Sequence, residues 1–112
     1  MNSVDVTTFD PPDEVVAMGE KALAELVELC GKRVWRLTFE PGWRYTEHAD
    51  TRLCPEPHAA YIASGRLGVE MEDGSRAEAG PGAVIVMDPN HDAWTIGDEP
   101  CVFIDFGEAV AD

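Results

Sequence analysis

The chain has 112 residues, with 8 Lys and Arg against 22 Asp and Glu for a net charge of −14. That length predicts one domain, and 45% hydrophobic residues suffice for a core without disulfides. The charge excludes nucleic acid and anionic membrane surfaces as main partners, because both present phosphate groups that would be repelled.

Cys30, Cys54 and Cys101 are too few and too scattered for a disulfide framework. Cys30 and Cys101 read as core residues. No apolar run reaches the ~18 residues of a membrane span. The N-terminus has neither the basic start nor the apolar stretch of a signal peptide. A reducing, cytoplasmic location is the expectation.

Residues 1–20 read as an N-terminal arm, and residues 21–108 as the domain proper. Residues 14–30 are ambiguous. Val15, Val16, Met18, Leu23, Leu26, Val27 and Cys30 fit a helical stripe, but Gly19 sits badly in it. The alternative is a strand over residues 21–29, closed by a turn at Gly31-Lys32. Tertiary pairing can override helical propensity, so the strand is predicted.

From residue 33 the pattern is β. Val34, Trp35, Leu37 and Phe39 form a strand ended by Pro41-Gly42. Residues 59–63 (AAYIA) form the next, up to Ser64-Gly65. Leu67, Val69 and Met71 alternate with Gly68, Glu70 and Glu72, the period of a half-buried strand. Asp73-Gly74 signals a tight turn. Residues 75–79 return, Gly80-Pro81-Gly82 punctuates, and residues 83–87 (AVIVM) read as a buried strand. Residues 94–96 and 101–106 complete the set. Short strands at this spacing, with Gly and Pro turns, mean an all-β sandwich or barrel.

Three segments, PGWRYTEH, HAAYIASGRLGVEMEDG and GPGAVIVMDPNHDAW, resemble the small single-domain cupins. The family's first motif places a His after a Gly and five residues, and Gly42 is so followed by His48. Asp50 stands where the family has a second His. His58 stands six residues before Gly65, where the family has Glu. In the second motif, Gly82 and five residues lead to Asp88-Pro89-Asn90, and His91 follows two residues early.

The resemblance implies a jelly-roll barrel that gathers strand ends at its mouth. It implies that His48, His58 and His91 converge there on one divalent ion: Fe, Zn, Cu or Ni. Asp50 is a candidate carboxylate and Cys54 a candidate thiolate, as ligands or catalytic groups. Asp92 is a candidate partner for His91. Arg44 would share a face with His48 and reach an anionic substrate, or pair with a carboxylate. Ala60 and Ile62 on inner faces suit a modest organic ligand. The implied activity is a metal-dependent enzyme of dioxygenase, isomerase, lyase or cyclase type. The alternative is a non-catalytic module that binds or senses a small molecule or metal. Open edge strands predict a homodimer.

Overall fold

The computed structural model describes residues 4–106. The last two residues assigned to the domain, 107 and 108, lie outside the described residues, as do the first three of the arm.

Among the described residues, nine strands and one helical turn follow in chain order. They are β1 (Glu14–Ala17), β2 (Ala22–Leu29), β3 (Lys32–Phe39), α1 (Tyr45–His48), β4 (His58–Ser64), β5 (Arg66–Met71), β6 (Arg76–Ala79), β7 (Val84–Met87), β8 (His91–Ile96) and β9 (Cys101–Asp105). Six strands make one antiparallel sheet in the order β1-β2-β3-β9-β4-β7, and three make the other, β6-β5-β8. The core between them contains Phe39, Ile62, Leu67, Val69, Cys101 and Phe103, all buried.

The segment with helical composition is indeed a strand. β2 pairs with β3 along its whole length, from Ala22 opposite Phe39 to Leu29 opposite Lys32. Ala24 and Leu26 are buried, while on the opposite face Leu23 is exposed and Glu25 is half-buried against Arg36. Pairing therefore overrides the propensity of ALAEL. The tight turn is Cys30-Gly31, one residue earlier than expected, and both residues have positive φ (49° and 74°). That is the backbone a two-residue hairpin needs. It also corrects the reading of Cys30, which is an exposed turn residue, whereas Cys101 is buried.

The arm is not wholly without structure, since β1 pairs antiparallel with β2. The turn after β1 passes close to α1. A Cβ on Gly19 would lie 2.5 Å from the His48 carbonyl oxygen, so only glycine permits this approach.

Candidate metal centre and cavity

The residues that meet in the sandwich come from three places. His58 opens β4 and His91 opens β8. Cys54 lies in the loop before β4, and this loop folds inward because it forms an isolated bridge with His91. The Cys54 N–H donates to the His91 carbonyl at 2.8 Å, and the Asn90 N–H donates to the Cys54 carbonyl at 2.7 Å. Backbone pairing thus sets the thiol beside the imidazole.

One ligand atom from each of Cys54, His58 and His91 lies within 4.8 Å of the others. Cys54 Sγ is 3.8 Å from His58 Nε2, and the two imidazole centroids are 5.5 Å apart. Tetrahedral zinc with bonds of about 2.0–2.3 Å would hold its donors about 3.5 Å apart, so the cluster needs only a small contraction.

Both rings are fixed from behind. His58 Nδ1 donates to Asp105 Oδ2 at 2.9 Å. His91 Nδ1 donates to the Asp88 carbonyl at 2.8 Å. Each ring keeps Nε2 for a ligand, which is how metal-binding imidazoles are usually oriented.

The electrostatics couple the thiol to the rings. Burial pushes the Cys54 thiol up, but hydrogen bonds from His58 and His91 more than reverse this and bring it to about 6. Burial pulls His58 down, but Asp105 and Cys54 outweigh it and raise the imidazole to about 9. Without a metal the pair is a thiolate beside an imidazolium at neutral pH. Tyr45 adds a hydroxyl whose pKa is raised by burial and then by Cys54.

The cluster borders a cavity of about 220 Å³. Phe39, Trp43, Leu37, Phe103 and Met87 make much of its wall, and Tyr45 and Glu56 contribute there.

Solved structures with the same architecture resemble the chain at low identity. A cupin-like protein (tm1010) from Thermotoga maritima is 18% identical, with a TM-score of 0.57 over 88% of this chain and 83% of its own. The Cupin_2 domain of an XRE family transcriptional regulator from Enterobacter cloacae is 11% identical, with a TM-score of 0.61 over 82% of this chain and 100% of that one. This protein has a cupin-type fold. The polyketide cyclase RemF from Streptomyces resistomycificus is also similar, at 16% identity and a TM-score of 0.59, over 79% of this chain and 65% of RemF. No protein-family model and no curated protein sequence matches the chain.

On this cupin frame the sequence candidates separate. His58 and His91 come together, and Cys54 joins them. His48 is not in that group. It closes α1, and its Nδ1 accepts from the Arg44 N–H at 3.0 Å. Arg44 is extended and bridges to Trp94, but the chain turns helical from Tyr45 to His48, so strand alternation does not carry from Arg44 to His48. Asp50 lies in a surface groove with Arg52 and Glu72, away from the cavity. It accepts from the Arg52 N–H at 3.0 Å, which helps hold its carboxyl below the usual range.

Asp92 does not orient His91. It accepts from Arg44 Nε at 2.8 Å and from Thr46 N–H and Oγ1 at 3.1 Å each, and so ties α1 to β8. Arg44 is engaged there and stacked over Trp94, rather than facing a substrate. Asp105 is the residue that sequence reasoning missed. Its signal was present: a carboxylate inside the apolar strand CVFID, where a charge needs a partner.

No helix among the described residues is long and apolar enough to cross a membrane.

Proposed function

We propose that this protein is a small mononuclear metal-binding cupin that acts as an enzyme on a small organic substrate, of dioxygenase, isomerase, lyase or cyclase type. The observation that carries the reading is the convergence of Cys54, His58 and His91 at the edge of an apolar cavity. Three donors leave a coordination position open, which distinguishes catalytic sites from closed structural ones. A thiolate with two imidazoles is a softer set than three imidazoles and favours zinc or copper over iron or nickel.

Cys54, His58 and His91 would hold the ion. His48 is the remaining member of the set expected from sequence, and its substitution separates the two assignments. A bound divalent ion supplies Lewis acidity toward a substrate oxygen. The chain supplies the rest. Asp105 and the Asp88 carbonyl fix the imidazole tautomers. The aromatic wall excludes water and positions the substrate. The Tyr45 hydroxyl is a proton donor beside Cys54. Likeness to a polyketide cyclase supports an enzymatic reading.

The second reading is a non-catalytic ligand-binding module. It is supported by likeness to the cupin domain of the Enterobacter cloacae transcriptional regulator. Metal analysis of protein purified without a His tag tests the first reading. About one equivalent of metal, lost in a Cys54→Ala variant, is expected for the enzyme. Metal-free protein that stays metal-free on exposure to zinc, copper, iron and nickel would overturn it in favour of the module.

A further inference from the structure

The cavity beside the Cys54, His58 and His91 cluster has a consistent chemical character. Phe39 and Trp43 stack as a slab, with ring centroids 4.1 Å apart and planes 21° from parallel. Phe103 meets both Phe39 and His58 edge-on, with centroids 5.9 Å away in each case. Flat aromatic walls in this offset and edge-on arrangement complement another flat ring.

Lys and Arg are missing from this wall, and the His58 imidazolium is already matched by the Cys54 thiolate and Asp105. Among the described residues none of the 8 Lys and Arg lines the cavity. The arginines are engaged elsewhere: Arg36 with Glu25, Arg44 with Asp92, Arg66 with Glu78, Arg76 with Glu70, Arg33 with Glu28 and Arg52 with Asp50. Carboxylates and phosphates are recognised by guanidinium, ammonium or clustered N–H donors. The charged side chain that does line the wall outside the cluster is Glu56, and the whole chain carries −14. An anion would therefore enter against the field of the protein.

We infer that the ligand of this cavity is a neutral, flat molecule of one or two rings with a single oxygen function, and that the metal-free cavity rejects carboxylates of the same shape. The size follows from the volume. At about 220 Å³ the cavity falls below the ~300–1,000 Å³ of sites for drug-sized molecules. The oxygen function follows from the Tyr45 hydroxyl, which shares the wall with Cys54. This inference rests on the proposed reading of the cavity as the substrate site and adds the class of substrate to it.

The test compares 2-naphthol with 2-naphthoate by titration calorimetry, in zinc-free and zinc-loaded protein. The expected result is one equivalent of 2-naphthol bound in both forms, and 2-naphthoate at least tenfold weaker in the zinc-free protein; in the zinc-loaded protein the ion's open position is available to a carboxylate, so that form tests 2-naphthol alone. Two variants place the probe. Ala93→Phe fills the buried wall, and Ala49→Trp narrows the mouth from an exposed position that does not disturb the core. Each should weaken 2-naphthol at least tenfold in protein that circular dichroism shows to be folded. If Ala93→Phe does not fold, Ala49→Trp decides alone. Equal or tighter binding of 2-naphthoate by the zinc-free protein, no binding of 2-naphthol, or 2-naphthol binding untouched by the folded variants would overturn the inference. Zinc titration separates the two readings. If 2-naphthol binds and zinc does not, the metal reading fails and the ligand class stands. If zinc binds and 2-naphthol does not, the ligand class alone fails.

Discussion

Cys54 and His58 each hold the other in its charged form, and the consequence differs for folding and for metal binding. His58, raised to about 9, stabilises the fold below its unfolded value near 6.5 and loses this as pH rises through 9. Cys54, lowered to about 6 from 9.0, stabilises the fold above 9 and loses this as pH falls through 6. The two slopes oppose each other, because the pair only moves a proton from sulfur to nitrogen. Urea unfolding of the metal-free protein should therefore show no pH dependence from this pair between pH 6 and 9. A metal needs the thiolate and a neutral imidazole, so it must expel the proton that His58 still holds. Zinc affinity should rise about tenfold per pH unit across that range, measured by chelator competition. An affinity flat with pH would count against His58 as a ligand. At pH 7.5 the variants should rank. Cys54→Ala removes a donor and should cost at least about 100-fold, whereas Asp105→Asn should cost about 10–100-fold by loosening the His58 ring. His48→Ala should leave zinc affinity within about threefold if the Cys54 set holds the ion; a larger loss would restore His48 to it.

The elements show which parts of this arrangement the residues announced. Alternation in β5 and the existence of β7 were legible because strand period and turn glycines are local signals, but β7 is not the buried strand its apolar run suggested: it is an edge strand whose Val84 and Val86 face water. β2 was legible only through its need for a partner, since its composition favours a helix. β8 begins at His91, three residues before the expected start, because it pairs with β5 from Met71 opposite His91 onward, and Cys54 adds an isolated bridge to that first residue. That bridge joins positions 37 residues apart, and no local pattern encodes it. The same holds for Asp105 behind His58, a contact between strands 47 residues apart in sequence. The helical turn α1 was not foreseen either. It rests on Asp92, buried in β8, which gathers Arg44 and Thr46. Asp92→Ala would leave the Thr46 N–H without its acceptor and the Arg44 guanidinium with the longer pair to Glu70, at 4.0 Å. Arg44 keeps a third of its side chain in water, so the loss should fall below the fully buried case, at about 2–3 kcal/mol. Urea denaturation would measure it, and a change under about 0.5 kcal/mol, the range of neutral surface substitutions, would show that α1 is held by something else.

At the scale of the molecule, the large sheet has a bare apolar patch at one end. Tyr61 faces out from β4 opposite Ile104 on β9 and Val84 on β7. Val84 is 75% exposed, Val86 67% and Tyr61 42%, and the adjoining Phe106 is also exposed. β7 is an edge strand with no charge in its sequence VIVM, so it lacks the usual protection against pairing. Isolated surface valines need no explanation, but a contiguous patch beside an unprotected edge calls for cover. A second copy of the chain is the occupant expected, placed patch to patch about a twofold axis. The net charge of −14 works against this, since two copies repel. The repulsion is screened over a Debye length of about 8 Å at physiological salt, while apolar burial is not weakened by it. Dimerisation should therefore strengthen as salt rises from 20 to 300 mM, on the order of the range in which screening sets in. Light scattering at micromolar concentration should give the dimer mass for the natural sequence and the monomer mass for Val84→Lys with Val86→Lys. Those side chains point into water, so the paired change tests association and leaves the core intact. A monomer for the natural sequence at 300 mM salt would show that the patch stays bare or serves a different partner.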